Sequence, residues 1–359
     1  MRVVSLFSGI GAYERALKNV GIDVELVNYC EILKDKSRAY SILHNVSEDL
    51  NLGDVTKINT SKIDDFDLLV YSPPCQSFSI SGKMKGLEDL RGTLFYNALE
   101  VIRDKKPKYC VMENVANLAG KRFANDFEAM RDALEEVGYN NYWKIINAKE
   151  FIPQNRERVY LVSIRKDIDT GDFEFPIGED DRNWWDVVDL SDMRDLTNRQ
   201  KRMVEYAQGV NTEDSINLEG DIQFDNAVIT LRQSGLRFQN NREYPAITAF
   251  YGKGGGNFTM IARDGKVLGG ITPRNCFKLM GFEFEDSELL SKKGFSNSSQ
   301  YIMAGDSVCV PVLEGIFKNL FKIENNSDIY KDGINVCNEN FVPINFKAVM
   351  SRPYRYGFK

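Results

Sequence analysis

Short apolar runs alternate with amphipathic stretches through the first half of the chain, and each run ends in a loop rich in glycine, proline or acidic residues. Runs this short read as buried strands, whereas apolar residues recurring every three or four positions read as helices. On that basis Arg2 to Phe7, Val24 to Tyr29, Leu68 to Tyr71, Tyr109 to Met112 and Val159 to Ile164 are predicted strands. Ala12 to Asn19 has helical character. Leu94, Phe95, Ala98, Leu99 and Ile102 share one helical face that stops at Lys105-Lys106-Pro107, and Phe123, Phe127, Met130 and Leu134 form a stripe assigned to core packing. This alternation predicts an α/β fold with a Rossmann-like sheet, in which ligands sit at the carboxyl ends of the strands.

From about Asp167 to Gly270 the alternation fades into polar sequence with Trp184-Trp185, several asparagines and the loop Tyr251 to Asn257. A second, smaller irregular domain is expected there. Alternation returns with a helix from Thr272 that Gly281 closes, and Ala304 to Val308 leads into an apolar helix from Val312 to Phe321. The expected domains are 1–170 completed by 304–322, a second domain at 171–270, a hinge and helix at 271–303, and a tail at 323–359 with no assigned role.

The 359 residues suit two domains, and 43% hydrophobic with 27% charged residues leaves material for a core. No run of 18 apolar residues occurs and the N-terminus enters a strand directly, so a cytoplasmic protein with no membrane partner is expected. The six cysteines are scattered without a C-x-x-C pair, which suggests neither a zinc cluster nor a disulfide framework. The single histidine, His44, excludes multi-histidine metal sites, argues against a Cys-His machine, and is itself expected on a helix surface. A net charge of −6 lowers the expectation of a nucleic-acid partner without excluding it, because phosphate binding depends on local basic patches.

The run Leu68 to Tyr71 leads into Ser72-Pro73-Pro74-Cys75-Gln76-Ser77-Phe78-Ser79. Proline lacks the N–H that extends a sheet, so the double proline stops the strand and delivers the Cys75 thiol just past its end. A free cysteine is ordinarily one more buried packing residue. In a polar loop at a strand's carboxyl end it becomes a candidate nucleophile, one that must work without a histidine base. The next loop, Ile80 to Gly86, holds Ser81, Lys83 and Lys85 and is suited to close over a ligand, with lysines near phosphates.

Ser8-Gly9-Ile10-Gly11 sits between strand and helix like a nucleotide-binding turn, but Glu14 replaces the third glycine of the dinucleotide fingerprint, so the loop suits a pyrophosphate poorly. Glu31, about 20 residues on, stands where a carboxylate accepts from ribose hydroxyls, and Asp54 is placed to hold an adenine amino group. The acids favour an adenosine site without a pyrophosphate. Glu113 ends the fourth strand and points into the same crevice. Arg156 and Arg158 are expected to point to opposite faces, so that at most one faces the site while the other serves structure or phosphate.

Phe7-Ser8-Gly9-Ile10-Gly11, Pro73-Pro74-Cys75-Gln76, Glu113-Asn114-Val115, Gln154-Asn155-Arg156-Glu157-Arg158, Pro273-Arg274-Asn275-Cys276 and Gly305-Asp306-Ser307-Val308 occur in one order. In that order the chain resembles the DNA cytosine-5 methyltransferases, of the short single-chain bacterial or phage type, over roughly residues 1 to 321. The resemblance implies S-adenosylmethionine as donor, double-stranded DNA as substrate, a monomer, and a cognate restriction endonuclease in the same host. It makes 171–270 the target-recognition domain. Cofactor contacts are implied from Phe7 against the adenine, Glu31 at the ribose and Asp54 at the adenine amino group, with Ser8, Gly9, Gly11, Pro74, Asp306 and Ser307 beside them.

In this resemblance the Cys75 thiolate adds to carbon 6 of cytosine, making an enamine that takes the methyl group at carbon 5. Arg158 and the donor's sulfonium are sources of the positive field that enlarges the thiolate fraction. Glu113 contacts ring nitrogen 3 and the amino group, and needs to be protonated or to share a proton. Arg158 orients the base and Cys75, and Arg156 supports it. The cytosine is flipped out of the duplex, with Gln76 and Ser81 filling the gap, Ser79 and Lys83 beside them, and Thr248 of Ala246-Ile247-Thr248-Ala249 on the backbone near the flipped base. The family usually has asparagine at Asp306, beside the methionine end of the donor, where a carboxylate either pairs with the donor's ammonium or repels its carboxylate. An RNA cytosine-5 methyltransferase and a DNA-binding regulator with a disused active site are the alternatives. The large variable region disfavours the first, and Cys75, Glu113 and Arg158 together disfavour the second. A dinucleotide oxidoreductase is disfavoured by Glu14.

Overall fold

The computed structural model describes residues 1–74, 94–198, 200–202, 226–232, 235–239, 241–249, 251, 258–263 and 266–323. Cys75, Gln76, Ser79, Ser81 and Lys83 lie outside the described residues.

The chain begins with β1 (Arg2–Leu6), α1 (Ala12–Asn19), β2 (Glu25–Cys30), α2 (Lys34–His44) and β3 (Leu68–Tyr71). After α3 (Leu94–Lys105), Lys106 turns left-handed at φ 48° ahead of Pro107, which ends the helix where the sequence predicts. Then come β4 (Tyr109–Val115), α4 (Ala124–Glu136), β5 (Tyr139–Asn147), β6 (Gln154–Asn155) and β7 (Glu157–Arg165).

Six of these strands form one sheet in the order β2-β1-β3-β4-β7-β5. The pairs β1–β2, β1–β3 and β3–β4 are parallel, and β7 is antiparallel to both β4 and β5. Alternate residues bury on opposite faces: Val3, Leu68 and Val70 join one core with Ala16, Leu17, Ile316 and Phe317, while Val4, Leu69 and Tyr71 join another with Phe95, Ala98, Phe127 and Met130. Burial on both faces is why these strands read as continuous apolar runs. The order reverses between β1 and β3, and the crevice at their carboxyl ends is therefore a topological switch point.

Beyond β7 the chain runs back over this framework. Phe173 packs edge-on against Tyr142 of β5, ring centroids 5.4 Å apart, and Asn319 donates to the Glu174 carbonyl at 3.0 Å. The short helix α5 (Trp184–Val187) buries Trp184 completely. The smaller unit that the sequence predicts is built on an antiparallel sheet in the order β10-β9-β12-β13-β8. Its strands are β8 (Met193–Arg194), β9 (Ala227–Arg232), β10 (Gly235–Gln239), β12 (Phe258–Arg263) and β13 (Lys266–Ile271). Between them β11 (Tyr244–Pro245) pairs in parallel with β6 as a separate two-stranded sheet, so this region is stitched to the segment that leads into β7.

The chain closes with α6 (Pro273–Leu279), α7 (Phe284–Lys292), α8 (Asn297–Asp306) and α9 (Val310–Leu320). Thr272 caps α6, Pro273 opens it, and Gly281 follows it at φ 87°. No helix among the described residues is long and apolar enough to cross a membrane.

His44 corrects the expectation of a surface histidine. Its half-buried ring lies against the glycine turn, with Nε2 3.0 Å from the Ile10 carbonyl oxygen, and tilts over Tyr40 with centroids 4.7 Å apart. A β-carbon on Gly11 would fall 2.0 Å from that Nε2, and Gly11 has φ 82°, so both contact and conformation require glycine there. Burial lowers the imidazole pKa to about 4.

Candidate active site

The carboxyl ends of β1 to β4 open into a cavity of about 730 Å³ at the switch point. Phe7 leaves β1 in the left-handed region at φ 56°, and Gly9 follows with φ 56°. For Phe7 that conformation costs about 1–2 kcal/mol, and such strain concentrates at ligand sites. Ser8 fastens the turn to β2: its N–H donates to the Cys30 carbonyl at 3.0 Å, and its Oγ accepts from the Cys30 N–H at 3.1 Å. Glu31 closes the same turn, accepting from Gly9 N–H at 3.0 Å and Leu33 N–H at 2.8 Å. A carboxylate has about four lone-pair sites, so Glu31 keeps acceptor capacity toward the cavity it lines.

Asp54 caps a short turn, accepting from the Thr56 N–H at 3.0 Å and the Thr56 hydroxyl at 2.8 Å. Those bonds, with Lys57 beside them, hold its carboxyl below the usual range, and it faces the cavity as an ionised acceptor.

The strand end before Cys75 is held from two sides. The Tyr13 hydroxyl donates to the Tyr71 carbonyl at 3.2 Å and lies 2.8 Å from Ser72 Oγ, while the Asn114 amide donates to the Pro73 carbonyl at 3.0 Å. Pro74 lines the cavity immediately after.

Glu113 lies within β4 and Arg158 within the antiparallel β7, where they pair directly with Tyr160 and Val115 respectively. This diagonal offset brings Arg158 Nε to 3.0 Å from Glu113 Oε1. Burial pushes the Glu113 carboxyl pKa up, against the opposing pull of Arg158 and then Arg156. Glu113 thus keeps its proton to higher pH than an exposed carboxyl does.

Both arginines line this cavity, which corrects the expectation that they point to opposite faces. Residues two apart along extended backbone share a face, because the side-chain period is two. They differ in what they hold. Arg156 is fully buried and donates to the carbonyls of Ile247 at 2.8 Å, Gly305 at 3.1 Å and Ser307 at 2.8 Å. Burial, and then the charge of Arg158, lowers its pKa to about 10, so it remains charged near neutrality.

Asp306 ends α8 and pairs with Lys36 of α2, Nζ to Oδ2 2.7 Å, and Ser307 lies beside it on the cavity wall. Gly11 is outside the lining, turned toward His44, and Thr248 is exposed next to Ala249, which does line the cavity. Tyr13, Lys36, Ser72 and Asn114 are polar lining residues that sequence reasoning did not assign. The signal for Tyr13 is a polar tip on the buried face of a helix opening at a glycine turn.

Four carboxylates (Glu31, Asp54, Glu113, Asp306) face three basic groups (Lys36, Arg156, Arg158) around apolar walls from Phe7, Ile32 and Leu33. The glycine turn carries no basic residue for a pyrophosphate. Residues 1–322 match the family described as C-5 cytosine-specific DNA methylase. The chain belongs to that family. It is 32% identical to the orphan methyltransferase M.SPRI of Bacillus phage SPR, across 89% of this chain and 97% of that one. It is equally 32% identical to the type II methyltransferase M.HhaI of Haemophilus parahaemolyticus, across 89% and 94%. The fold is similar to that of the S. pombe Dnmt2 methyltransferase, with TM-score 0.63 at 22% identity over 90% of this chain and 98% of that one.

The protein is thus a DNA cytosine-5 methyltransferase, and its methyl donor is S-adenosylmethionine. The donor set fits: this methyltransferase offers the Glu31 and Asp54 carboxylates as acceptors for an adenosine, and S-adenosylmethionine has no pyrophosphate. Bound there, the donor supplies a methyl group activated by its sulfonium.

Proposed function

We propose that this methyltransferase modifies one cytosine within a specific duplex sequence, using Cys75 as nucleophile and Glu113 and Arg158 as its partners. The observation that carries the reading is the pairing of the buried Glu113 with the half-buried Arg158, 3.0 Å apart, beside the strand end that leads to Cys75. A cytosine inside a duplex is out of reach, so the base must leave the stack. The Cys75 thiolate then forms a bond to carbon 6, and the ring's electrons move toward carbon 5 and nitrogen 3. Glu113, holding a proton, donates toward nitrogen 3 and so stabilises the charge that develops there. Arg158 keeps Glu113 in place and contributes positive potential. After carbon 5 has accepted the methyl group, with S-adenosylhomocysteine as the departing product, its proton leaves to a base, the carbon–sulfur bond breaks to return Cys75 as thiolate, and nitrogen 3 gives its proton back to Glu113.

In the proposed division of labour, 1–170 with 304–322 bind donor and base, 171–270 is the target-recognition domain, and 271–303 links them. The antiparallel sheet β8 to β13 supports that reading as a scaffold able to present loops to the major groove, where base pairs are distinguishable. Phe7, Glu31 and Asp54 are the proposed adenosine contacts, and Thr248 the proposed contact to the DNA backbone. A monomer acting in the cytoplasm, alongside a restriction endonuclease of matching specificity, completes the proposal.

The test is covalent trapping on duplex DNA carrying 5-fluorocytosine, which blocks the final proton loss. The wild type should form a stable protein–DNA adduct and Cys75→Ala none; an adduct in the mutant removes Cys75 from the role. Assaying duplex DNA beside transfer RNA separates the DNA reading from an RNA one. Bisulfite sequencing of DNA from expressing cells reads out the target sequence.

A further inference from the structure

Lys36 lies in the first turn of α2, and its side chain is only 12% exposed although it carries a charge. Its ammonium is 2.7 Å from Asp306 Oδ2, whose side chain is 43% exposed, and both residues line the donor cavity. Docking α2 onto the neighbouring helices does not depend on this pair alone. Asp35 accepts from the Ser299 hydroxyl at 3.3 Å, Arg38 donates to the Lys293 carbonyl at 2.6 Å, and the Arg38 guanidinium lies 4.7 Å from the centre of the Phe295 ring. The pair holds charge at the cavity wall where two neutral residues would have served a purely structural contact.

We infer that Lys36 and Asp306 form a charge-paired subsite for the zwitterionic amino-acid end of the donor, Lys36 taking its carboxylate and Asp306 its ammonium. An α-amino acid carries its two charged groups on one carbon, so it is matched by two opposite charges that are themselves close together. The other such pair in the cavity, Glu113–Arg158, lies at the strand end assigned to the cytosine. The Lys36 ammonium has three N–H donors and a carboxylate about four acceptor sites, so the bond between them leaves both able to bind further. The lysine also answers the question raised by a carboxylate at position 306: with Lys36 against it, Asp306 does not confront the donor's carboxylate as an unpaired charge. Lys36 is accordingly a donor-positioning residue for this enzyme. The inference rests on the donor-site reading above.

Calorimetry on the full chain tests it with two ligands, S-adenosylhomocysteine, which has the amino-acid end, and 5′-methylthioadenosine, which lacks it. Lys36→Met should weaken S-adenosylhomocysteine about tenfold or more, the worth of one charge-assisted hydrogen bond, while methylthioadenosine binding is unmoved. Asp306→Asn should show the same selectivity, and Lys36→Arg should retain most of the affinity. Equal weakening of both ligands, or no weakening of either, would overturn the inference and leave the pair a structural clasp. Wild-type protein that binds neither ligand would instead overturn the donor-site reading, and the inference with it. Because the readout is a ratio of two affinities on one protein sample, a general loss of stability in a variant does not imitate the expected result.

Discussion

Gly305 approaches Thr248 so closely that a β-carbon on it would sit 2.1 Å from the Thr248 carbonyl carbon and 2.2 Å from the Ala249 nitrogen. The end of α8, which lines the cavity through Asp306 and Ser307, therefore rests directly on the backbone that carries Thr248 and Ala249. Arg156 clasps the same junction by donating to the carbonyls of Ile247, Gly305 and Ser307. Gln154 extends it, accepting from the Ile247 N–H at 3.1 Å and donating to the Leu279 carbonyl at 2.7 Å. Cavity wall and proposed DNA-facing segment thus share one close-packed, hydrogen-bonded seam.

Gly305→Ala should break that seam. The obstructing atoms are backbone and cannot rotate away, so the helix end or the Thr248 segment must move, at a cost of about 1–3 kcal/mol. The expected outcome is a lower urea midpoint with an unchanged slope, accompanied by weaker donor binding. A variant as stable as wild type would mean that the close approach is readily relieved.

The two arginines should separate by phenotype. Arg156→Met leaves three buried carbonyls without their donor and should cost about 3 kcal/mol or more of stability. Arg156→Lys should recover little, since one ammonium cannot reproduce the planar fork. Arg158→Met removes the partner of Glu113 while touching less of the framework, and should leave the thermal midpoint nearly intact but abolish most methyl transfer. Thermal unfolding and a tritium-transfer assay on the same samples check the contrast; equal effects from both variants would contradict it.

Glu113→Gln keeps the shape of the side chain and loses the ability to pass a proton. Methyl transfer should fall by roughly a hundredfold or more, the usual worth of a positioned acid, with S-adenosylhomocysteine affinity unchanged. Burial lifts the Glu113 pKa, so in the wild type the acid form persists to higher pH than an ordinary carboxyl allows. Activity carried by that form falls as pH rises through the raised pKa. The alkaline limb of the kcat/KM profile due to Glu113 should accordingly vanish in the glutamine variant.

What was legible in the sequence follows from burial. Strands covered on both faces announce themselves, as Leu68 to Tyr71 does, and α1 occupies the span its pattern predicts. The strand β5 was not legible: as the edge of the sheet it carries Asn140, Asn141 and Lys144 among Tyr142, Trp143 and Ile145, without a clean period. The positions of Glu113 and Glu31 on the cavity wall were legible because crevices in such sheets open where strands stop. Arg156 was legible as a motif residue but not as a clasp, since its carbonyl partners are contributed by backbone 91, 149 and 151 positions away. The Lys36–Asp306 pair was hidden for the same reason, its members being 270 positions apart.

The single histidine offers a prediction that one spectrum can check. His44 has its pKa lowered to about 4 by burial against the glycine turn, compared with about 6.5 in an unfolded chain. Between those two values the unfolded chain binds more protons than the folded one, so stability rises with pH across the window and is lost as pH falls below about 6.5 toward 4. The full shift corresponds to about 3 kcal/mol at most. Because the chain has one histidine, a single imidazole C2–H resonance should appear and titrate with a midpoint near 4. A midpoint near the unperturbed value would contradict the buried placement. His44→Gln, which retains an N–H able to reach the Ile10 carbonyl, should flatten the dependence of the unfolding free energy on pH in that window. Since His44 packs against Gly11 and Ile10 of the turn proposed to hold the donor, acidification of the wild type should also loosen S-adenosylhomocysteine binding more than it does in the glutamine variant.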